Sequence, residues 1–294
     1  MDIELPDGRL LEIEVSGPAD GIPLLFHHGT PGSARPFGQI ERAVHARGLR
    51  LVTYSRPGYG SSTRAPGRGV VDVVPDMTAL LDHLGAAQCL VAGWSGGGPR
   101  ALATAAGLPD RVRCVLMIAG IAPFDAEGLD YFAGMGASNV EGFRHAAAGD
   151  EAIMRQRAEA RVVQRDPGTV DALIQSMRSI LPEVDKAVLT DEFADDLIAN
   201  FAHGTSKSVD GWVDDNLAIC RPWGFDLADV TAPTFLWHGE LDLMVPFGHG
   251  QWLADQLPNV TAHLERGEGH LSIAVGKLDA MLAELASALD QPIQ

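Results

Sequence analysis

Three side chains along this sequence could together turn a weak nucleophile into a strong one. Ser95 lies in Gly93-Trp94-Ser95-Gly96-Gly97, between a short apolar run and a helix-like stretch. A hydroxyl is a poor nucleophile near neutral pH unless a base takes its proton. That base is usually a histidine oriented by a carboxylate. Of the ten histidines, His270 is best placed, in the loop Arg266-Gly267-Glu268-Gly269-His270 between the last expected strand and the final helix. The acid should follow the preceding strand, where Trp237–Pro246 offers Glu240 and Asp242. Asp242 is preferred, because a short side chain in a tight turn orients an imidazole with less freedom. Asp125, just beyond residues 112–118, is the fallback.

Acyl transfer also needs N–H donors for a developing oxyanion. The Gly96 N–H, directly after Ser95, supplies one. The other is expected from His28-Gly29-Thr30-Pro31-Gly32. Pro31 has no N–H, so Thr30 is the donor, and His28 should brace the loop rather than titrate. His28, Gly29 and Trp94, with Phe132 and Trp212 further along, are expected to touch substrate. His27 and His238 are expected to pack near strand ends.

These residues need elements that place them. Glycines flanking Ser95 fit a sharp strand-to-helix turn, where side chains would collide with neighbouring backbone. Leu90-Val91-Ala92 is enough for a buried strand, and Pro99 falls in a helical first turn, where its missing N–H costs nothing. Asp7-Gly8 signals a hairpin between residues 1–6 and 9–16. Strands at 22–27, 49–54, 88–94 and 112–118 then alternate with helices at 36–47, 74–84 and 100–107. Such alternation implies a largely parallel sheet covered on both faces. It stops at residue 121. From there to about 221 the chain reads as helices, with helical spacing at 151–165, 170–180 and 192–201. It resumes with strands at 232–238 and 260–265 and helices near 250–256 and 271–289. The expected organisation is a core formed by 1–120 and 223–294, with a helical cap at 121–222 over the carboxyl edge of the sheet, where open α/β sheets bind ligands.

Composition narrows the class. The 294 residues are 46% hydrophobic and 21% charged, ordinary for a globular protein, with net charge −17. That charge argues against nucleic acid or anionic membrane as partners. The acidic N-terminal stretch lacks the layout of a signal peptide. Cys89, Cys114 and Cys220 cannot all pair, and free thiols suit a cytoplasmic chain. No metal-ligand spacing and no phosphate or dinucleotide loop occurs, so no cofactor is expected. The expected partner is a small-molecule substrate, on a monomer or homodimer. Residues 121–222 carry 18 acidic against 9 basic side chains.

Taken in order, H-G-T-P-G at 28–32, R-P-G-Y-G at 56–60, G-W-S-G-G at 93–97, G-E-L-D at 239–242 and G-H at 269–270 resemble the α/β-hydrolase fold. The resemblance implies a mostly parallel eight-stranded sheet flanked by helices, with an inserted cap. It implies Ser95 as nucleophile, His270 as base, Asp242 as orienting acid, and Thr30 and Gly96 as the oxyanion hole. Relatives with an aspartate nucleophile are disfavoured by serine at position 95. H-G-T-P-G and R-P-G-Y-G are similar to the proline iminopeptidase-like branch, which usually has a second Gly in place of Thr30 and an Asp in place of Ser55.

Three readings follow. An esterase of small carboxylic esters would use the full set of roles beneath an aromatic-bearing cap. A prolyl aminopeptidase would hold a substrate ammonium group with cap acids such as Glu192, Asp195, Asp196, Asp214 or Asp215. A small-molecule receptor on the same fold would bind without appreciable turnover.

Overall fold

A computed structural model describes residues 1–289. The Asp7-Gly8 turn folds the chain back on itself. β1 (Asp2–Glu4) and β2 (Leu10–Ser16) are antiparallel, with Ile3 opposite Leu11. Alternation then sets in with β3 (Pro23–His27), α1 (Gly38–His45), β4 (Arg50–Tyr54), α2 (Val73–His83), β5 (Cys89–Trp94), α3 (Gly98–Gly107) and β6 (Val112–Ile118). A helical insertion follows: α4 (Ala137–Ala148), α5 (Glu151–Arg165), α6 (Val170–Met177), α7 (Glu183–Ala187), α8 (Asp191–Gly204) and α9 (Asp210–Ile219). The chain returns to the sheet with β7 (Thr234–Gly239), α10 (Phe247–Gln256), β8 (Val260–Glu265), α11 (Ser272–Gly276) and α12 (Leu278–Leu289).

The described strands form one eight-stranded sheet in the order β1-β2-β4-β3-β5-β6-β7-β8. Pairing is antiparallel from β1 to β4 and parallel beyond. Every residue of β3 and β5 is buried, as expected of central strands covered on both sides. Alternate side chains go to opposite faces. Leu24, Phe26, Leu90, Ala92 and Trp94 pack with residues of α1 and α12. Leu25, Cys89 and Val91 pack with α2, α3 and α10. Each fully buried aliphatic side chain contributes roughly 1.5–3 kcal/mol, so the two faces fix the register of the central strands.

The order reverses between β3 and β5, and this positions the site. Consecutive helices depart to opposite sides there, leaving a crevice at the carboxyl ends. His27 pairs with Gly93 across the two strands, so the loop after β3 emerges beside Trp94 and Ser95. Gly239 of β7 pairs with Glu265 of β8, so the loops carrying Asp242 and His270 also emerge together.

One expectation is corrected. The last helix is not continuous over 271–289; Lys277 separates α11 from α12. Within the insertion, periodicity does not single out α4, α7 or α9. Helix α9 is buried nearly all round and contains Gly211, so it has no polar face to betray its period. No described helix is long and apolar enough to cross a membrane.

Candidate active site

Ser95 stands at the junction of β5 and a single 3-10 turn, Ser95–Gly97, that leads into α3. Its φ is +56°, the left-handed region that costs a non-glycine residue about 1–2 kcal/mol. The flanking glycines permit the turn. A Cβ on Gly97 would run into the His27 carbonyl, and one on Gly93 would sit 2.6 Å from the Gly97 oxygen. The Ser95 hydroxyl makes no hydrogen bond among the described residues. It opens onto a cavity of about 150 Å³ that His270 also lines.

His270 and Asp242 come together as expected. The His270 Nδ1 lies 2.6 Å from Asp242 Oδ2, and both residues are buried. The carboxylate accepts, so Nδ1 carries the hydrogen and Nε2 keeps its lone pair. Asp242 is itself fixed: its Oδ1 accepts the backbone N–H groups of Met244 at 2.7 Å and Val245 at 2.9 Å. Burial pushes the imidazole toward neutrality, but the charge and hydrogen bond of Asp242, with a smaller contribution from Asp185, reverse this and raise its pKa above 6.5. Trp94 stacks on the ring with centroids 5.9 Å apart. Glu240 and Asp125 are exposed and outside this arrangement.

Asp185 escaped the sequence reading. It lies in α7 and is fully buried. Its Oδ2 accepts the His270 N–H, and its Oδ1 accepts those of Leu271 and Ser272, all at 2.9 Å. One carboxylate from the insertion thus caps the turn that presents His270. Nothing near residue 185 in sequence signals this, because its partners lie about 85 positions away.

The loop after β3 meets the Ser95 turn directly. A Cβ on Gly29 would contact Ser95 Cβ at 3.5 Å, and one on Gly96 would strike the Thr30 hydroxyl. The Thr30 N–H has no acceptor among the described residues, and the first N–H groups of a helical turn lack internal partners. His28 braces the loop: Nδ1 donates to the Gly29 carbonyl at 2.7 Å and Nε2 accepts the Arg56 N–H at 3.2 Å. Burial, reinforced by Arg56, holds its pKa well below 6.5, so it stays neutral.

Beneath this loop lies a buried charge hub. Asp215 of α9 accepts Nε and Nη2 of Arg56 at 2.9 and 2.6 Å and Nη2 of Arg100 at 3.1 Å, and it forms an ion pair with Arg68 at 2.7 Å. The hydroxyls of Tyr59 and Thr30 each donate to it at 2.9 Å. Burial alone would raise its pKa, but Arg56, Arg100 and Arg68 hold it well below the usual carboxylate range. The same guanidinium groups grip the loops: Arg56 donates to the His28 and Gly29 carbonyls, and Arg100 to the Gly96 carbonyl at 2.8 Å.

This overturns the expectation that cap acids could hold a substrate ammonium group. Asp215 is saturated, Asp214 pairs with Arg64 at 2.9 Å, Glu192 pairs with Arg42, Asp196 accepts the Gly38 N–H, and Asp195 is exposed. None of the five lines the cavity. His28, Gly29, Thr30, Trp94, Gly96 and Trp212 do line it. Phe132 does not, because it packs edge-on against Phe124 and Tyr131 beneath the Arg144 guanidinium. His27 bonds the Tyr54 hydroxyl at 2.6 Å and His238 the Val245 carbonyl at 2.8 Å, the packed roles expected of them. The three cysteines are free thiols. No group of three or more His, Cys, Asp or Glu among the described residues could hold a metal ion.

The sheet order, the strained serine turn and the paired His270 and Asp242 define an α/β-hydrolase. The model of the alpha/beta hydrolase fold matches residues 22–277, and the chain belongs to that family. It is 26% identical over 265 residues to RutD of Variovorax paradoxus, named "Putative carbamate hydrolase", covering 88% of this chain and 89% of that one. It is 31% identical over 142 residues to a proline iminopeptidase of Arabidopsis thaliana, covering 47% of this chain and 37% of the relative. A thermophilic esterase from Thermogutta terrifontis superposes with a TM-score of 0.70 at 20% identity, over 98% of each chain, which shows a shared fold.

Proposed function

We propose that the chain hydrolyses small carboxylic esters through an acyl-enzyme on Ser95. The observation that carries this reading is the Asp242-bound His270 sharing one cavity with Ser95 on its strained turn. In the reaction His270 Nε2 takes the Ser95 proton as Oγ attacks the ester carbon. The N–H groups of Thr30 and Gly96 stabilise the oxyanion. The protonated His270 then gives its proton to the leaving alkoxide, and a water deprotonated by the same nitrogen releases the acid. A cavity of about 150 Å³ suits an acyl group of a few carbons, since a cavity of that order holds a molecule about the size of benzene.

The test is hydrolysis of p-nitrophenyl acetate and butyrate together with covalent labelling by a fluorophosphonate probe. Ester turnover with the label on the Ser95 peptide is expected. Labelling elsewhere, or tight binding without turnover, would refute the proposal, the latter in favour of a receptor. Release of nitroaniline from prolyl-nitroanilide should be negligible, because among the described residues no carboxylate lines the cavity to receive an ammonium group.

The raised pKa of His270 gives this reading a pH signature. A general base works only when neutral, so kcat/KM should fall as pH drops through a value above 6.5. Asp185→Asn removes a charge that favours protonation, so it should move this acid limb to lower pH while also reducing kcat by loosening the turn. A purely structural role for Asp185 would reduce kcat and leave the limb where it was. Full pH–rate profiles of both proteins decide this.

A further inference from the structure

The cavity carries a charge opposite to that of the chain. With a net charge of −17 overall, it has no acidic side chain among its lining residues and three basic ones, Arg157, Arg161 and Arg165. These fall four residues apart on α5 and so share one face of that helix. Two of them are engaged. Arg157 pairs with Glu141 at 2.5 Å and donates to the Ser138 carbonyl. Arg165 donates to the Ser176 hydroxyl at 3.0 Å, and its guanidinium lies over the rings of Phe201 and Trp212 at 4.5 and 5.5 Å.

Arg161, between them, makes no ion pair and no hydrogen bond among the described residues. It is half-buried, and burial together with the neighbouring Arg157 disfavours its charge, which Glu141 offsets only in part. A guanidinium nevertheless stays protonated in a protein. Its cost falls when an anion arrives. Two more unsatisfied groups line the same cavity. The buried Ser138 hydroxyl has no partner, and the Asn216 side chain makes no hydrogen bond among the described residues. One free planar fork matches one planar carboxylate in a bidentate pair.

Building on the esterase reading, we propose that the natural substrate is an ester that also carries a carboxylate, and that Arg161 receives this group. Arg165, which pairs with no carboxylate among the described residues, adds to the positive field there. The subsite explains why an acidic protein keeps acidic side chains out of the space above Ser95.

The experiment compares two charged esters with a neutral isostere. Monomethyl succinate carries the carboxylate on the acyl side, and acetoxyacetate carries it on the alcohol side. Methyl 4-methylpentanoate replaces the carboxylate oxygens of the first with methyl groups. At least one charged ester should exceed the neutral one in kcat/KM by about tenfold or more, the scale of a charge-assisted hydrogen bond. Arg161→Met should shrink that ratio by about 10–100-fold, chiefly through KM, and Arg161→Lys should fall between the two. No preference for either charged ester, or a preference untouched by Arg161→Met, would overturn the proposal. A second readout is independent of the serine chemistry. Succinate should raise the Tm of Ser95→Ala, and the rise should vanish in the Ser95→Ala, Arg161→Met double variant. Succinate stabilisation without ester turnover by the wild type would refute the esterase reading and leave the anion subsite standing. Turnover without succinate stabilisation of Ser95→Ala would refute the subsite alone.

Discussion

Replacing Ser95 with alanine is expected to lower kcat on a p-nitrophenyl ester by about 10⁴–10⁶-fold while leaving the melting temperature nearly unchanged. The activity loss follows from the proposed acyl transfer, which begins at the Ser95 hydroxyl. The unchanged stability follows from the site itself. The hydroxyl makes no hydrogen bond among the described residues, and alanine meets the same backbone strain at a φ of +56°. The measurement is steady-state kinetics beside a thermal melt of the same preparation. A variant that keeps more than about a hundredth of the wild-type kcat would mean that Ser95 is not the nucleophile, because residual catalysis by the oxyanion donors alone lies well below that level. His270→Ala should show a comparable loss and should also lose reactivity toward the fluorophosphonate probe, since Ser95 would then have no base.

The largest stability effect should come from Asp215→Ala. Arg56, Arg68 and Arg100 all lie within about 3 Å of this one carboxylate, far from water. Removing it leaves buried guanidinium groups without their counter-charge, a change that costs about 3–5 kcal/mol. For a domain of this size each kcal/mol lowers Tm by roughly 2–4 °C, so a drop of about 6–20 °C is expected. Activity should fall further than unfolding explains, even at a temperature where the variant remains folded. The guanidinium groups freed from Asp215 are the ones that fix the His28, Gly29 and Gly96 carbonyls, and so aim the Thr30 and Gly96 N–H groups. Asp215→Asn keeps the shape and loses the charge, and should lie between. A Tm within about 2 °C of wild type would show that the hub carries little of the stability assigned to it.

How much of this was legible in the sequence depends on how far apart the partners lie. Ser95, Asp242 and His270 each sit in a local string whose turn chemistry can be read alone, and the alternation of strands and helices puts all three strings at one edge of the sheet. The hydrophobic periods of α2, α5 and α8 were visible for the same reason. Asp185 and Asp215 were not legible as structural carboxylates, because their partners come from elements 85 to 185 positions away. Asp215 was instead read as a candidate ligand for an ammonium group, since a lone acidic residue looks the same in sequence whether it is solvated or clamped. Phe132 was misplaced because the sequence cannot say which of several clustered aromatics faces the cavity. The arginines at 157, 161 and 165 had a visible helical spacing, but such a stripe ordinarily faces water. Only the packing of α5 against the cavity gives it another meaning.

Two of the insertion's buried carboxylates, Asp185 and Asp215, also bear on how substrate gets in. Asp185 is bonded into the His270 turn, and Asp215 into the loops beside Ser95. An insertion anchored at both of these points cannot swing aside as a rigid flap, since lifting it would tear out the groups that keep the machinery aligned. Passage to and from the cavity must therefore rest on small side-chain and helix-end movements between the anchors. Exchanging the insertion for another would succeed only if the replacement brought both carboxylates with it.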